Sequence, residues 1–218
     1  MRIPIHREGW PFIAIFAVVN FLVWKFSPWG AVAFAPLTLW CVAFFRDPER
    51  KPPPGENRIV SPADGKLLPI VEAVPPEELG LGPEPRPRLS IFMDVFNVHV
   101  NRMPVSGTIV ALAYRPGRFF NASFDKASVH NERMSARVRP AGSTDPGADL
   151  AVVQIAGLVA RRIVCDLKEG AEVRRGARYG IIRFGSRLDV YLPFSAKIVV
   201  QDGSATIAGE TVLAELQG

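Results

Sequence analysis

A serine, a histidine and an aspartate lie in β-rich stretches of this chain, and together their types could make a nucleophilic centre. The serine is Ser186, in Gly180-Ile181-Ile182-Arg183-Phe184-Gly185-Ser186-Arg187-Leu188-Asp189-Val190-Tyr191, where two β-rich runs flank a Gly-Ser pair. Gly185 has no Cβ, so the chain can turn sharply there and another group can approach its carbonyl closely. A hydroxyl is a weak nucleophile until a base takes its proton. Three histidines could supply the base: His6, His99 and His130. His6 precedes a long apolar segment, and His130 sits in a polar stretch from Asp125 to Arg133. His99 closes the run Val95-Phe96-Asn97-Val98-His99, whose alternation predicts a strand with Val95, Asn97 and His99 on one face. Asp64, in Ser61-Pro62-Ala63-Asp64-Gly65-Lys66, is expected in a tight turn between two strands, where its carboxylate could orient an imidazole. Each residue also has an everyday role open to it: a turn serine, a hydrogen-bonded structural histidine, a hairpin Asp-Gly. Joined, Asp64, His99 and Ser186 would be orienter, base and nucleophile. Sequence spacing alone does not bring them together.

The elements that must position them fall into two parts, residues 1–51 and 52–218. The chain has 218 residues, enough for one or two domains with a proper core. Trp10 to Trp24 and Pro28 to Phe45 are apolar runs almost free of charge, each a little short of a comfortable span of about 20 residues. Lys25 to Gly30 separates them as a turn, so the expectation is a helical hairpin that spans or dips into a membrane. Arg2 and Arg7 precede it and Arg46, Arg50 and Lys51 follow it, which puts both ends on the cytoplasmic face of the cell membrane. A secretory signal fits poorly, because a second apolar run follows at once. Arg46 to Glu56 reads as a stiff, charged and proline-rich linker.

Beyond it, short β-branched runs alternate with Gly/Pro/Asp turns: residues 59–60, 66–71, 89–92, 107–114, 150–155, 158–165, 179–184, 188–192, 196–200 and 211–216. That pattern is mainly β, with residues 74–88 and 140–149 as loops, the first on the surface. Glu169 to Gly176 and Asp202 to Gly209 both read acidic-Gly-x-x-x-x-x-Gly, similar to hairpin turns of flattened barrel-sandwich hybrids of the lipoyl type, though neither carries a modifiable lysine at its tip. The formal charge is +5, with no zinc-finger, RNP-type or long Lys/Arg run, so an acidic lipid surface is expected rather than nucleic acid. Cys41 and Cys165 are far apart, outside metal-type spacing, and read as reduced core residues; the histidines are too scattered for a metal site.

Five blocks, in order, carry a resemblance: Phe44-Phe45-Arg46-Asp47-Pro48; Ser61 to Gly65; Phe96-Asn97-Val98-His99-Val100-Asn101-Arg102; Asn121 to Ser128 with Asn131-Glu132-Arg133; and Phe184-Gly185-Ser186-Arg187. On these the chain resembles the phosphatidylserine decarboxylase family, in its short form. Two positions depart from the long form: Phe96 stands where a second histidine is usual, and Arg187 where a small hydroxyl residue is usual. The resemblance implies a precursor that cuts itself. His99, held by Asp64, would take the Ser186 proton, and the hydroxyl would attack the Gly185 carbonyl. Elimination and loss of ammonia would leave a pyruvoyl group at position 186. The products would be a membrane-bound β chain, 1–185, and an α chain, 186–218, held together as a heterodimer. The pyruvoyl ketone would form a Schiff base with the head-group amine of phosphatidylserine in the membrane, releasing CO₂ and phosphatidylethanolamine without pyridoxal phosphate or a metal. His99 would be the proton donor of this second half. Lys126, Arg133 and Arg102 are candidates, on charge alone, for the substrate phosphate or carboxylate. Two other classes stay open: a membrane-anchored serine hydrolase using Asp64, His99 and Ser186 without being cut, and a tethered non-enzymatic carrier that needs none of them.

Overall fold

The computed structural model describes residues 4–117, 131–157, 162–183 and 185–217. The chain forms two compact units, Met1–Glu49 with Phe96–Val98, and Arg50–Val95 with His99–Gly218.

The first unit is a pair of helices, α1 (Trp10–Phe26) and α2 (Pro28–Phe44). Both run further toward each other than the sequence suggests, and Ser27 alone separates them. Ser27 is extended and its Oγ accepts from Gly30 N at 3.1 Å, capping α2. Pro28 then occupies the first helical position, where a missing N–H leaves no bond unmade. One capping residue and one proline thus do the work expected of a six-residue turn. Phe16 stacks on Phe34 at 5.9 Å, and Asn20 Nδ2 donates to Thr38 Oγ1 at 3.5 Å. At the open end His6 N donates to Phe45 O (2.9 Å) and Asp47 N to Pro4 O (2.7 Å). Trp10, Val18, Phe21, Trp24, Phe26, Trp29, Val32 and Leu39 are all exposed. A helix that is apolar all round suits a hydrocarbon environment. The stretch Arg7–Phe26 is long and apolar enough to cross a membrane, whereas Pro28–Phe44 is shorter.

The second unit is mainly β, with short 3₁₀ turns at Glu77–Leu79 and Pro146–Ala148. Its strands are β1 (Arg58–Val60), β2 (Gly65–Leu67), β3 (Val71–Ala73), β4 (Arg86–Met93), β5 (Val100–Arg102), β6 (Gly107–Arg115), β7 (Arg133–Pro140), β8 (Leu150–Ala156), β9 (Ile163–Cys165), β10 (Glu172–Val173), β11 (Arg178–Ile182), β12 (Ser186–Tyr191), β13 (Ala196–Ile198), β14 (Ala205–Thr206) and β15 (Val212–Leu216). Among the described residues they form a nine-stranded antiparallel sheet, order β10-β6-β7-β8-β12-β4-β2-β14 with β3 beside β4, and two three-stranded sheets, β1-β15-β13 and β5-β11-β9. The mainly β expectation holds, together with the helical pair before it.

The two glycine-bounded repeats explain this arrangement. They contain β10 and β14, the outermost strands of the large sheet, and their four glycines all have positive φ. The rest of the unit follows the same duplication. β5-β11-β9 matches β1-β15-β13, and β6 and β10 pair as β2 and β14 do. The pair at the middle of this doubled arrangement is β8 and β12.

Strand alternation sends Leu188 and Val190 of β12 into one core with Leu89, Ile91, Met93, Val152 and Ile182. Each such fully buried aliphatic side chain contributes about 1.5–3 kcal/mol. Arg187, Asp189 and Tyr191 point to the other face, where Tyr191 packs with Leu79, Leu81, Ala151, Val153 and Ile155.

Several expectations are corrected. The strand read over 66–71 splits into β2 and β3 around Pro69, which has no N–H for a ladder. Residues 94–99 are a turn rather than a strand, so His99 enters β5 from a loop. Residues 74–85 are not merely a surface loop, because Leu79 and Leu81 are buried against the sheet. Strand β7 goes unread because its alternate residues are Arg133, Ser135, Arg137 and Arg139. Of the run 158–165, the strand observed is Ile163–Cys165, and residues 158–161 lie outside the described residues.

Candidate active site

Gly185 and Ser186 form a corner. Gly185 has φ +64°, a left-handed conformation that disfavours any side chain. A Cβ added there would meet nothing within 4 Å, so glycine serves the turn and not close packing. Ser186 follows as the first residue of β12, paired with Met93 on β4 and Ala156 on β8, and is fully buried. Its Oγ lies 3.9 Å from Met93 Sδ. A thioether is a weak acceptor, so this contact holds the hydroxyl only loosely.

Asp64 is placed by its neighbour. Lys66 and Leu67 of β2 pair with Phe92 and Ile91, which brings Gly65 level with Met93 and hence with Ser186. Two strand spacings, about 10 Å, separate the β2 and β12 backbones and leave room for an imidazole between them. His99 is fully buried at the start of β5. The chain after it runs antiparallel to the Asp64 loop: Arg102 N donates to Pro62 O and Val60 N to Pro104 O, each at 2.9 Å. Asn101, two residues after His99, donates Nδ2 to the same Met93 sulfur at 3.8 Å. Asp64 thus directly precedes β2, His99 directly precedes β5, and Ser186 opens β12.

Two donors reach the Asp64 carboxylate. Its Oδ1 accepts from Ala208 N at 2.7 Å, and its Oδ2 accepts from Arg50 Nη2 at 2.9 Å. The duplicated half repeats the first contact without the charge: Ser106 Oγ accepts from Arg175 N at 3.0 Å. Ser61-Pro62-Ala63-Asp64-Gly65-Lys66-Leu67 and Met103-Pro104-Val105-Ser106-Gly107-Thr108-Ile109 share the pattern x-Pro-apolar-polar-Gly-x-aliphatic. The sequence reading missed this second repeat, which was legible in those residues. Capping the opposite glycine turn is therefore a fold role that both copies share, and the carboxylate is what sets Asp64 apart.

Two of the charge-selected candidates are engaged in the fold. Arg102 Nη1 donates to Gly176 O at 2.8 Å, and Arg133 donates to both carboxylate oxygens of Glu78 at 2.8 and 2.9 Å. Lys126 and His130 lie outside the described residues. Arg187 is buried, with Nε and Nη2 on the two oxygens of Asp189 at 2.6 and 2.8 Å, on the face away from Ser186. Other nucleophile types nearby are muted: burial pushes the Cys165 thiol up, and burial, then the Cys165 charge, push the Tyr179 hydroxyl well up. Gln154, in the otherwise apolar Ala151–Ala156 run, is a polar residue that the sequence reading also missed. Its Nε2 donates to Asn101 Oδ1 at 2.8 Å. The signal was one amide amid aliphatic neighbours. Among the described residues no group of three or more His, Cys, Asp or Glu is placed to hold a metal ion.

Comparison with known proteins adds a family. The family model for phosphatidylserine decarboxylase matches residues 37–214. The chain is 55% identical over 212 residues to the phosphatidylserine decarboxylase proenzyme of Rickettsia akari (strain Hartford), covering 97% of this chain and 90% of the relative. It is 57% identical over 216 residues to the proenzyme so named from Cereibacter sphaeroides (strain ATCC 17025 / ATH 2.4.3), covering 98% and 90%. With that from Paramagnetospirillum magneticum (strain ATCC 700264 / AMB-1) it shares 54% identity over 215 residues, covering 98% and 87%.

Proposed function

The chain belongs to the phosphatidylserine decarboxylase family, and from that premise we propose how its own residues make and run a carboxy-lyase. The enzyme converts phosphatidylserine to phosphatidylethanolamine and CO₂. It first cuts itself between Gly185 and Ser186. His99, oriented by Asp64, takes the Ser186 Oγ proton, and the oxygen attacks the Gly185 carbonyl carbon. The peptide becomes an ester as the amide nitrogen leaves with the proton from His99. Loss of the Ser186 α-proton expels the Gly185 carboxylate and leaves an unsaturated residue. One water adds and one ammonia departs, so the α chain 186–218 begins with a pyruvoyl ketone.

The site fits that group. Position 186 is buried, so a ketone there would be shielded from bulk water, and its side-chain partner is a thioether that does not compete for it. When present, the ketone supplies the electron sink that protein side chains lack for a decarboxylation carbanion. The chain's part is to bring the head-group amine to position 186, exclude water and return a proton to the α-carbon, a role for His99. Lys126 is the candidate for the substrate phosphate. Arg102 and Arg133 already donate to Gly176 O and Glu78, and each could join it with its remaining N–H groups. The helical pair holds the enzyme on its substrate at the cytoplasmic face of the membrane, with basic residues flanking both outer ends.

The observation that carries this reading is the left-handed Gly185 leading straight into an enclosed Ser186. A hydrolase that stays intact needs its serine open to substrate, whereas self-attack on the preceding carbonyl does not. The test is the intact mass of purified protein beside Ser186→Ala. Two fragments dividing at 185/186, the smaller blocked by a ketone, with Ser186→Ala uncut, are expected. A single uncut chain in a folded wild-type sample would overturn the proposal.

A further inference from the structure

The self-cleavage scheme leaves unused a set of contacts that encloses the side chain of residue 186. Ser186 Oγ and Asn101 Nδ2 both reach Met93 Sδ, at 3.9 and 3.8 Å. Asn101 Oδ1 accepts from Gln154 Nε2 at 2.8 Å. Gln154 returns toward the start: it pairs with Leu188 while Ala156 pairs with Ser186. Gln154 and Ser186 are thus diagonal neighbours on one face, roughly 7–8 Å apart, within reach of a long side chain. Asn101 is 0% exposed and Gln154 1%. Gln154 Oε1 is buried and has no hydrogen-bond partner among the described residues.

The chemistry fixes which amide atom is left over. A thioether accepts and cannot donate, so Asn101 turns its NH₂ to Met93 and its oxygen to Gln154. Gln154 must then spend its NH₂ on Asn101, which leaves Oε1 as the open atom. Gly180 lies against the same amide: a Cβ there would collide with Val164 O of the neighbouring strand and meet Gln154 Nε2 at 3.1 Å. A buried amide oxygen without a donor is destabilising, and an aliphatic residue would suit β8 better if the site had no donor to receive.

We infer that Gln154 is a head-group specificity residue, whose Oε1 accepts an N–H of the substrate's primary amine as it reaches position 186, and that Asn101 and Met93 are positioning residues that hold the amide in that orientation. The inference rests on the decarboxylase reading and names a group that reads the N–H of the head-group nitrogen, beside the ketone's own demand for a primary amine.

The test uses full-length processed protein in detergent, as wild type, Gln154→Met and Gln154→Glu. Glycerophospho-N,N-dimethylethanolamine, whose protonated nitrogen keeps one N–H but cannot form an imine with the ketone and which has no carboxylate to lose, is the ethanolamine compound titrated by calorimetry, with glycerophosphocholine as the N–H-free control. Intact mass reports self-cleavage. All three proteins should cut to completion. Gln154→Met should weaken ethanolamine binding about tenfold, the worth of one such bond, and raise KM for phosphatidylserine more than it lowers kcat. Gln154→Glu keeps an acceptor in place and should bind within about threefold of wild type. A purely structural role predicts the reverse order, because a buried carboxylate facing Asn101 Oδ1 disturbs the core more than methionine does. Unchanged binding by Gln154→Met, or wild type binding the choline compound as well as the ethanolamine one, would overturn the inference. The wild-type comparison needs no variant, so it decides even if Gln154→Met misfolds. A wild type that is neither cut nor active would instead overturn the parent reading.

Discussion

Asp64 caps a turn and, in the proposed mechanism, orients His99, and its twin Ser106 shows how to separate the two tasks. Oδ1 caps the glycine turn through Ala208 N, as Ser106 Oγ does through Arg175 N. Asp64→Ala would leave that buried N–H unmet, at about 1–3 kcal/mol. Asp64→Ser restores the contact by the other half's own solution. We expect Asp64→Ser to melt within a few degrees of wild type and Asp64→Ala to be less stable, with both chains uncut by intact mass. A cut Asp64→Ser protein would show that His99 needs no carboxylate there. At this scale the turn at Gly185 was legible, since a Gly-Ser pair between β-rich runs invites one and Gly185 has φ +64°. Residue types offered Ser186, His99 and Asp64 as candidates, and the family resemblance joined them. Gln154 stood out only as one amide in an aliphatic run, and its pairing with Asn101 was not legible, because two distant strands bring the groups to 2.8 Å.

Among the elements, the end of α2 and the turn before His99 are joined within one unit. Arg46 donates Nη1 to Ala43 O, a carbonyl of the last helical turn that also accepts from Arg46 N at 3.3 Å, and Nη2 to Phe96 O, both side-chain bonds at 2.7 Å. The segment Phe96–Val98 leads by one bond into His99. Arg46→Ala should therefore speed backbone hydrogen exchange in Phe96–Val98 by up to about tenfold and slow self-cleavage, while the helices keep their protection. Equal exchange in the variant would mean that the turn holds itself. Most strands were readable because a half-buried strand shows its apolar alternation. β7 hid because its outward face is also buried: Arg137 and Arg139 meet Asp149, and Arg133 meets Glu78, so charge replaces the usual apolar signal. The one-residue helical turn hid for the opposite reason, since a Ser-Pro pair usually signals a break and here starts the second helix.

For the whole molecule, the proposed cut falls where it severs the chain but not the fold. The segment 186–218 contains β12 to β15, and β12 lies between β4 and β8 in the middle of the nine-stranded sheet. β14 pairs with β2 and β15 with β1, so the fragment is held at three places by strands from before the cut. The two products should co-elute in native chromatography and part only in denaturant. The weak point is the buried charge on β12. Asp189 is fully enclosed, bound by Arg187 of its own fragment and 3.9 Å from Arg88 of the other. Removing one partner of a buried pair costs about 3–5 kcal/mol, since the remaining charge stays enclosed. Asp189→Asn should thus leave Ser186 and the acid–base residues in place, permit cleavage, and release the small fragment at clearly lower denaturant. If the variant holds its fragment as tightly as wild type, hydrogen bonds of the neighbouring ladders, and not this charge cluster, keep the cut enzyme whole.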